Sequence, residues 1–233
     1  MLKENDELDL IQFQKDLNER FLEINSQENE DTILNAEELV LEERINNHRF
    51  IFPLKNLQHI VSENKVESIP LTKAFITGFN QVKGEIFTII DFKILIEEFL
   101  FEKEKLTKRE ISNDSNIIYL KEFNESKIAL VINMLSLKKT SDFKLIYELR
   151  NRDSNLWWEK INFDNYDEIN KLENYIYSEK INADIYSVIE DKEFNIKIIS
   201  LIDKIYWDCE SNEPIFSINV EGLTLLLNHL TPF

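Results

Sequence analysis

Glycine is nearly missing from this chain, with 3 in 233 residues, and proline (4), histidine (3) and cysteine (1) are hardly commoner. Each shortage excludes something. Cys209 alone cannot form an intramolecular disulfide, which suits a reducing compartment. Flanked by Asp208 and Glu210, its thiolate is disfavoured by like charge, so it reads as inert rather than nucleophilic. His48 in an expected turn, His59 in an expected strand and His229 near the C-terminus have no neighbouring Cys or His at metal-ligand spacing. No Gly-x-Gly-x-x-Gly or Gly-Lys-Ser/Thr motif exists to cradle a phosphate, and Lys83-Gly84 lacks that context. Neither a metal nor another cofactor is expected. Basic residues are also short, 27 Lys and Arg against 44 Asp and Glu, a net charge of -17. Such a surface repels polyanions, so neither nucleic acid nor an anionic membrane is an expected partner. No apolar run approaches the ~18 residues of a membrane span. The start, Met-Leu-Lys-Glu-Asn-Asp-Glu, is acidic where a signal peptide is basic and then apolar. The expectation is a cytoplasmic protein with no direct membrane insertion.

What is present is a core. Hydrophobic residues make up 43% of the chain, with 16 Phe and 3 Trp, enough for one large domain or two small ones. The charge is uneven: residues 1–45 hold 14 acids against Lys3, Lys15, Arg20 and Arg44, a net of -10. Within them Leu10, Phe13, Leu17, Phe21 and Ile24 recur every three or four residues. Asp16, Glu19, Arg20 and Glu23 lie between, the pattern of an amphipathic helix. Its apolar stripe can pack on its own domain or on a partner. Asn25 to Thr32 reads as an acidic linker, so residues 1–32 stand apart from a domain at 33–228.

From Leu39 the period shortens to that of strands. Leu39-Val40-Leu41 and Arg49-Phe50-Ile51-Phe52 flank a turn at Ile45 to His48. Pro53 ends the second strand because it has no backbone donor. Leu54 to Val61 reads as a turn and a further strand. Pro70 opens a segment in which Ala74 to Thr77 hands over at Gly78 to a strand. Gly84 makes the turn before the apolar run Ile86 to Ile90. Asp91 reads as the N-cap of a helix over Phe92 to Leu100 rather than as a base. Glu102 to Asp114 is a polar connection. Ile117 to Leu120 and Lys127 to Ile132 form a further pair. Residues 140–192 are hard to place; Trp157-Trp158 reads as packing rather than as a sugar or partner platform, and Tyr166 to Tyr177 as a helix with Ile169, Leu172 and Ile176 on one face. Ile198 to Trp207 and Ile215 to Ile218 form a last hairpin around Asp208 to Pro214, and Gly222 to Leu230 a closing helix.

The ordered set Ile69, Pro70, Gly78, Gly84, Ile89, Ile90 and Asp91 resembles the CheW-like family of chemosensory adaptors. Three positions depart from the family pattern. Lys83 stands where it has Arg, Gln81 where it has Asn, and Lys73 where it has a second Pro. Lysine keeps the charge of arginine without its planar, multi-donor geometry. The likeness is clearest over about 39–100 and weaker over 117–139 and 198–228. The N-terminal helix and the Pro214-Ile-Phe-Ser-Ile218 ending are similar to the branch that serves type IV pilus (twitching) systems, the PilI-type adaptors.

The resemblance implies a mainly β fold. Two small SH3-like antiparallel barrels are expected, one at about 39–100 and one at about 115–222 with an insertion at 140–192, joined by short helices. It implies a non-enzymatic adaptor linking the cytoplasmic tip of a chemoreceptor to a CheA-type histidine kinase. The expected partner contact is the hairpin with Val82, Lys83 and Glu85, and Pro70, Gly78, Gly84 and Asp91 carry the structural motif. Two alternatives stand beside it: an enzymatic or small-molecule-binding barrel with its site in 140–192, and a CheW-like module diverged to a structural role.

Overall fold

The computed structural model describes residues 39–61, 66–99, 101, 106–108, 111, 115–123, 125–133, 136–152, 155–160, 170–172, 174–175, 186–189 and 197–230. The expected N-terminal helix, and Ile169 and Ile176 of the expected 166–177 helix, lie outside them.

The chain opens with an antiparallel pair, β1 (Leu39–Ile45) and β2 (His48–Pro53), joined through Asn46-Asn47. Asn46 takes the left-handed conformation (φ 56°) that asparagine tolerates. Pro53 ends β2 as expected, and a 3-10 turn, Leu54–Asn56, carries the chain to a second sheet. That sheet is made of β3 (Leu57–Val61), β4 (Glu67–Ser68), β5 (Ile76–Val82), β6 (Glu85–Asp91), β7 (Asn116–Leu120) and β8 (Ile128–Ile132), in the order β3-β7-β8-β6-β5-β4. Helix α1 (Phe92–Phe99) follows β6 directly. The Ile94 amide donates to Asp91 Oδ1 at 3.1 Å, so the buried Asp91 is the N-cap.

The chain then returns to the first sheet through β9 (Ser136–Lys139), β10 (Lys144–Arg152), β11 (Asn155–Lys160), β14 (Ile202–Asp208) and β15 (Glu213–Ile218). The order of that sheet is β11-β10-β14-β15-β2-β1-β9, and β12 (Tyr186–Ile189) pairs with β13 (Lys197–Ser200) apart from it. Helix α2 (Val220–Leu230) closes the described chain. Asn219 caps it, accepting from the Gly222 amide at 3.0 Å.

The fold is mainly β, with two sheets for the two SH3-like subdomains, but the strands are not shared out along the chain as expected. Segment 39–53 belongs with 136–160 and 202–218, and segment 57–91 with 116–132. A split near residue 100 would cut both sheets. Nor is every pairing antiparallel: β6 runs parallel to β8, and β15 parallel to β2. The last strands also differ from expectation. The run from Ile198 divides at Leu201 into β13 and β14, and Pro214 lies inside β15 opposite Trp207 rather than in the loop.

One large apolar core lies between the sheets. Phe50, Phe52 and Phe216 of the first sheet meet Ile90, Ile118 and Leu130 of the second, with Leu95 of α1 and Leu223 of α2. Each sheet also covers a smaller cluster on its other face: Phe87, Ile89, Ile117, Tyr119, Ala129 and Val131 in one, Val40, Ile51, Tyr206 and Ile215 in the other. Burial on both faces explains why β7 and β8 read as continuous apolar runs instead of alternating.

Candidate partner-binding site

β5 and β6 form a hairpin whose closing pair is Val82 and Glu85, leaving Lys83-Gly84 as a two-residue loop. Both loop residues have positive φ, 52° at Lys83 and 85° at Gly84, as a type I′ turn requires. The turn sets the fate of each neighbour. Val82 is half-buried against the Phe87–Tyr119 cluster, whereas Lys83 points into solvent. Gly78 does not precede the strand, as the sequence suggested, but lies within it at a register shift between Ile76 and Gly78. A Cβ there would lie 2.1 Å from the Glu67 carbonyl oxygen, so β4 can approach β5 only because residue 78 has no side chain.

The third expected contact residue, Glu85, is half-buried and accepts from Lys127 Nζ at 2.5 Å. Lys127 also stands 3.4 Å from Glu122. The Glu85 hydrogen bond is the main reason its ammonium is held above the usual lysine range. On the opposite rim, burial pushes the His59 imidazole below its ordinary value, and the Lys83 charge pushes it further the same way. Lys83 therefore sits close enough to β3 for its field to be felt there.

Beneath the tip, Asn80 donates to the hydroxyl of buried Tyr119 at 2.9 Å. Phe87 meets the Tyr119 ring edge-on at 4.9 Å. Burial raises the Tyr119 pKa and the Asn80 bond opposes that rise, so the phenol stays neutral. The hairpin tip is seated on this floor.

Alternation along β6 opens a cavity on each side of the strand. Ile86, Thr88 and Ile90 line one of about 240 Å³ together with Ile128 and Leu227 of α2. Glu85 and Phe87 line another of about 270 Å³ with Gln58, Lys121 and Glu122. Lys127 borders both. Ile86 is one of two large hydrophobic side chains that are exposed among the described residues. The surface offers a cation on the turn, with an ion-paired carboxylate and an exposed aliphatic residue at the start of β6, a mixture that suits contact with a protein.

The structure brings Val82, Lys83 and Glu85 together and places Pro70 apart from them. Pro70 opens the exposed turn before β5. Lys127, Glu122 and Ile86 were not singled out in the sequence as contact residues, and His59 was read only as a strand residue without metal-ligand partners. Ile86 could have been, since alternation along Ile86 to Ile90 puts it on the face that Thr88 marks as polar. Lys127 could not, because its pairing depends on the parallel β6–β8 register. His48 is not in a turn: it starts β2, is buried, and its Nδ1 lies 2.8 Å from the Tyr175 hydroxyl. Cys209 is exposed. Among the described residues, no cluster of three His, Cys, Asp or Glu could hold a metal, and no helix is long and apolar enough to cross a membrane.

Residues 40–140 match the family model of the CheW-like domain. The match runs from β1 to the turn after β9, taking in the whole second sheet. No curated protein matches the chain. Among solved structures it is similar to the scaffolding protein TtCheW from Thermoanaerobacter tengcongensis. The two share 16% identity over 80% of this chain and 92% of that one, with a TM-score of 0.42.

Proposed function

We propose that this chain is a non-enzymatic chemosensory adaptor that couples a chemoreceptor tip to a CheA-type histidine kinase in the cytoplasm, in the control of type IV pili. The supporting observation is that the CheW-like match spans the second sheet, with the β5–β6 hairpin inside it. The hairpin is the proposed contact: Lys83 supplies charge, Val82 fixes the strand beneath it, and Glu85 is held in place by Lys127. An adaptor needs no bond-making group. It works by holding kinase and receptor in a geometry where receptor state biases kinase activity.

The test is binding of the purified chain to a kinase regulatory domain and, separately, to a receptor tip. Lys83→Glu weakens binding at both low and high salt with little change in melting temperature, as a surface substitution should. The high-salt arm removes the long-range effect of adding charge to an acidic protein. Normal binding of both partners by Lys83→Glu would exclude the hairpin as the contact. A wild-type chain that binds neither would exclude the adaptor reading.

A further inference from the structure

Leu71 is the other large hydrophobic residue exposed among the described residues, and its side chain is as accessible as in an isolated residue (104%). Its backbone φ is +61°, in the left-handed region that bulky L-residues rarely enter. The turn around it is nonetheless well braced. Lys108 Nζ donates to the Ile69 carbonyl and to Thr72 Oγ1, the Thr72 hydroxyl lies 3.3 Å from the Ile69 and Ile76 carbonyls, and the Ile76 amide donates to the Lys73 carbonyl at 3.0 Å. Surrounding bonds hold a leucine in an unfavourable conformation while its own side chain packs on nothing. Strain kept in this way marks sites selected for something other than stability.

We propose that Leu71 is an anchor that inserts into an apolar pocket on a protein partner, and that carboxylates rim that pocket. Lys73 and Lys108 are both exposed beside it, and Glu67 is the acid that precedes the turn on β4. On a chain of net charge -17 this is a locally basic knob. Beyond roughly 8–10 Å, salt screens the repulsion between this protein and an acidic partner, so the two lysines decide the contact at close range. A second copy fits less well. The cavity beside Ile86 would present Lys127 to the incoming lysines. The turn and Lys83-Gly84 lie at opposite ends of the seven-residue strand β5, roughly 20 Å apart along it. One strand thus carries two separate contact surfaces, as a protein that joins two others requires.

This inference rests on the adaptor reading, and the experiment separates their failures. The full-length chain and its Leu71→Met, Leu71→Gly and Leu71→Asp variants are titrated with a CheA-type regulatory domain and with a receptor tip. Leu71→Met retains binding. Leu71→Gly and Leu71→Asp weaken it for at least one partner by about tenfold or more, as expected for a buried anchor. Leu71→Gly melts no lower than wild type, since glycine is at ease at this φ, whereas a structural role would lower its melting point. If the wild type binds and every Leu71 variant binds equally, the inference falls and the adaptor reading stands. If the wild type binds neither partner, both fall. If Leu71→Asp merely dissociates a self-associated wild type in sedimentation, the occupant is a second copy and the proposal is overturned.

Discussion

Arg49 on β2 holds Asp208 at the end of β14, its Nη1 2.5 Å from the Asp208 Oδ2. The same guanidinium grips both carboxylate oxygens of Glu42 on β1, at 2.8 and 2.9 Å, and reaches the Ser211 hydroxyl at 2.8 Å. All three charged residues are buried. This contact ties the start of the described chain to its end, across the parallel β2–β15 pairing that completes the first sheet.

Removing the guanidinium strands two buried carboxylates. Arg49→Met should destabilise by about 3–5 kcal/mol, the range for breaking one side of a buried ion pair. Urea unfolding would measure it. A loss below about 1 kcal/mol would mean that water or other donors replace Arg49 easily.

Acid sensitivity follows from the same group. Burial acts to raise the Asp208 pKa, but the bonds from Arg49, the Glu210 amide and Ser211 outweigh it and hold the carboxyl at about 2, below the ordinary 3.8 of an aspartate. A carboxylate depressed on folding contributes stability that is complete above the unfolded pKa and is lost as pH falls through 3.8 towards 2. Asp208→Asn should therefore be less stable at neutral pH and lose less between pH 5 and 2. Parallel acid titrations monitored by circular dichroism would show the two curves converging; curves that stay parallel would remove Asp208 from the account.

The two hairpin glycines should respond differently to alanine. At Gly78 the new Cβ meets the Glu67 carbonyl oxygen at 2.1 Å and the Val66 side chain at 2.9 Å, so β4 must move. Overpacking of that kind costs about 1–3 kcal/mol or more. At Gly84 the space is open and only the φ of +85° matters, a cost of about 1–2 kcal/mol. Gly78→Ala should melt lower than Gly84→Ala. The reverse order would mean that β4 yields without resistance.

This contrast also shows what the sequence could tell. Gly84 was legible because a basic residue and a glycine between two apolar runs can hardly be anything but a hairpin turn. Asp91 was legible as a cap because an acid before Phe92 serves the local helix. Gly78 looked like a boundary because its reason, the Glu67 carbonyl, lies back along the chain in a strand of only two residues. The same limit explains the sheets. Pairing of β2 with β15 and of β6 with β8 is parallel and distant, and no local pattern records it. Arg49 gave no signal either: a cation within Arg49 to Phe52 reads as the polar side of a strand, until its partners arrive from β1 and β14. The exposure of Leu71 is not legible in the sequence, because a leucine after a proline carries no sign of its φ or of what its side chain meets.

The hairpin tip can be tested without any partner through His59. Burial first, and the nearby Lys83 charge second, hold its pKa below the ordinary 6.5 of a free imidazole. A histidine depressed on folding stays neutral where the unfolded chain takes up a proton. Its contribution is therefore complete above pH 6.5 and falls away as pH drops through 6.5 to the folded value. Replacing Lys83 with Glu should move the His59 midpoint upward, because a repelling cation becomes an attracting anion. Lys83→Asn should shift it less, while suiting the left-handed position better than lysine does. An NMR titration of the His59 ring in the three proteins gives the order wild type, Lys83→Asn, Lys83→Glu in rising pKa. With the midpoint raised, the acid-side loss of stability attributable to His59 shrinks in Lys83→Glu. Identical midpoints in all three would mean that the Lys83 charge does not reach His59, and the surface proposed for partner contact would lose its β3 rim.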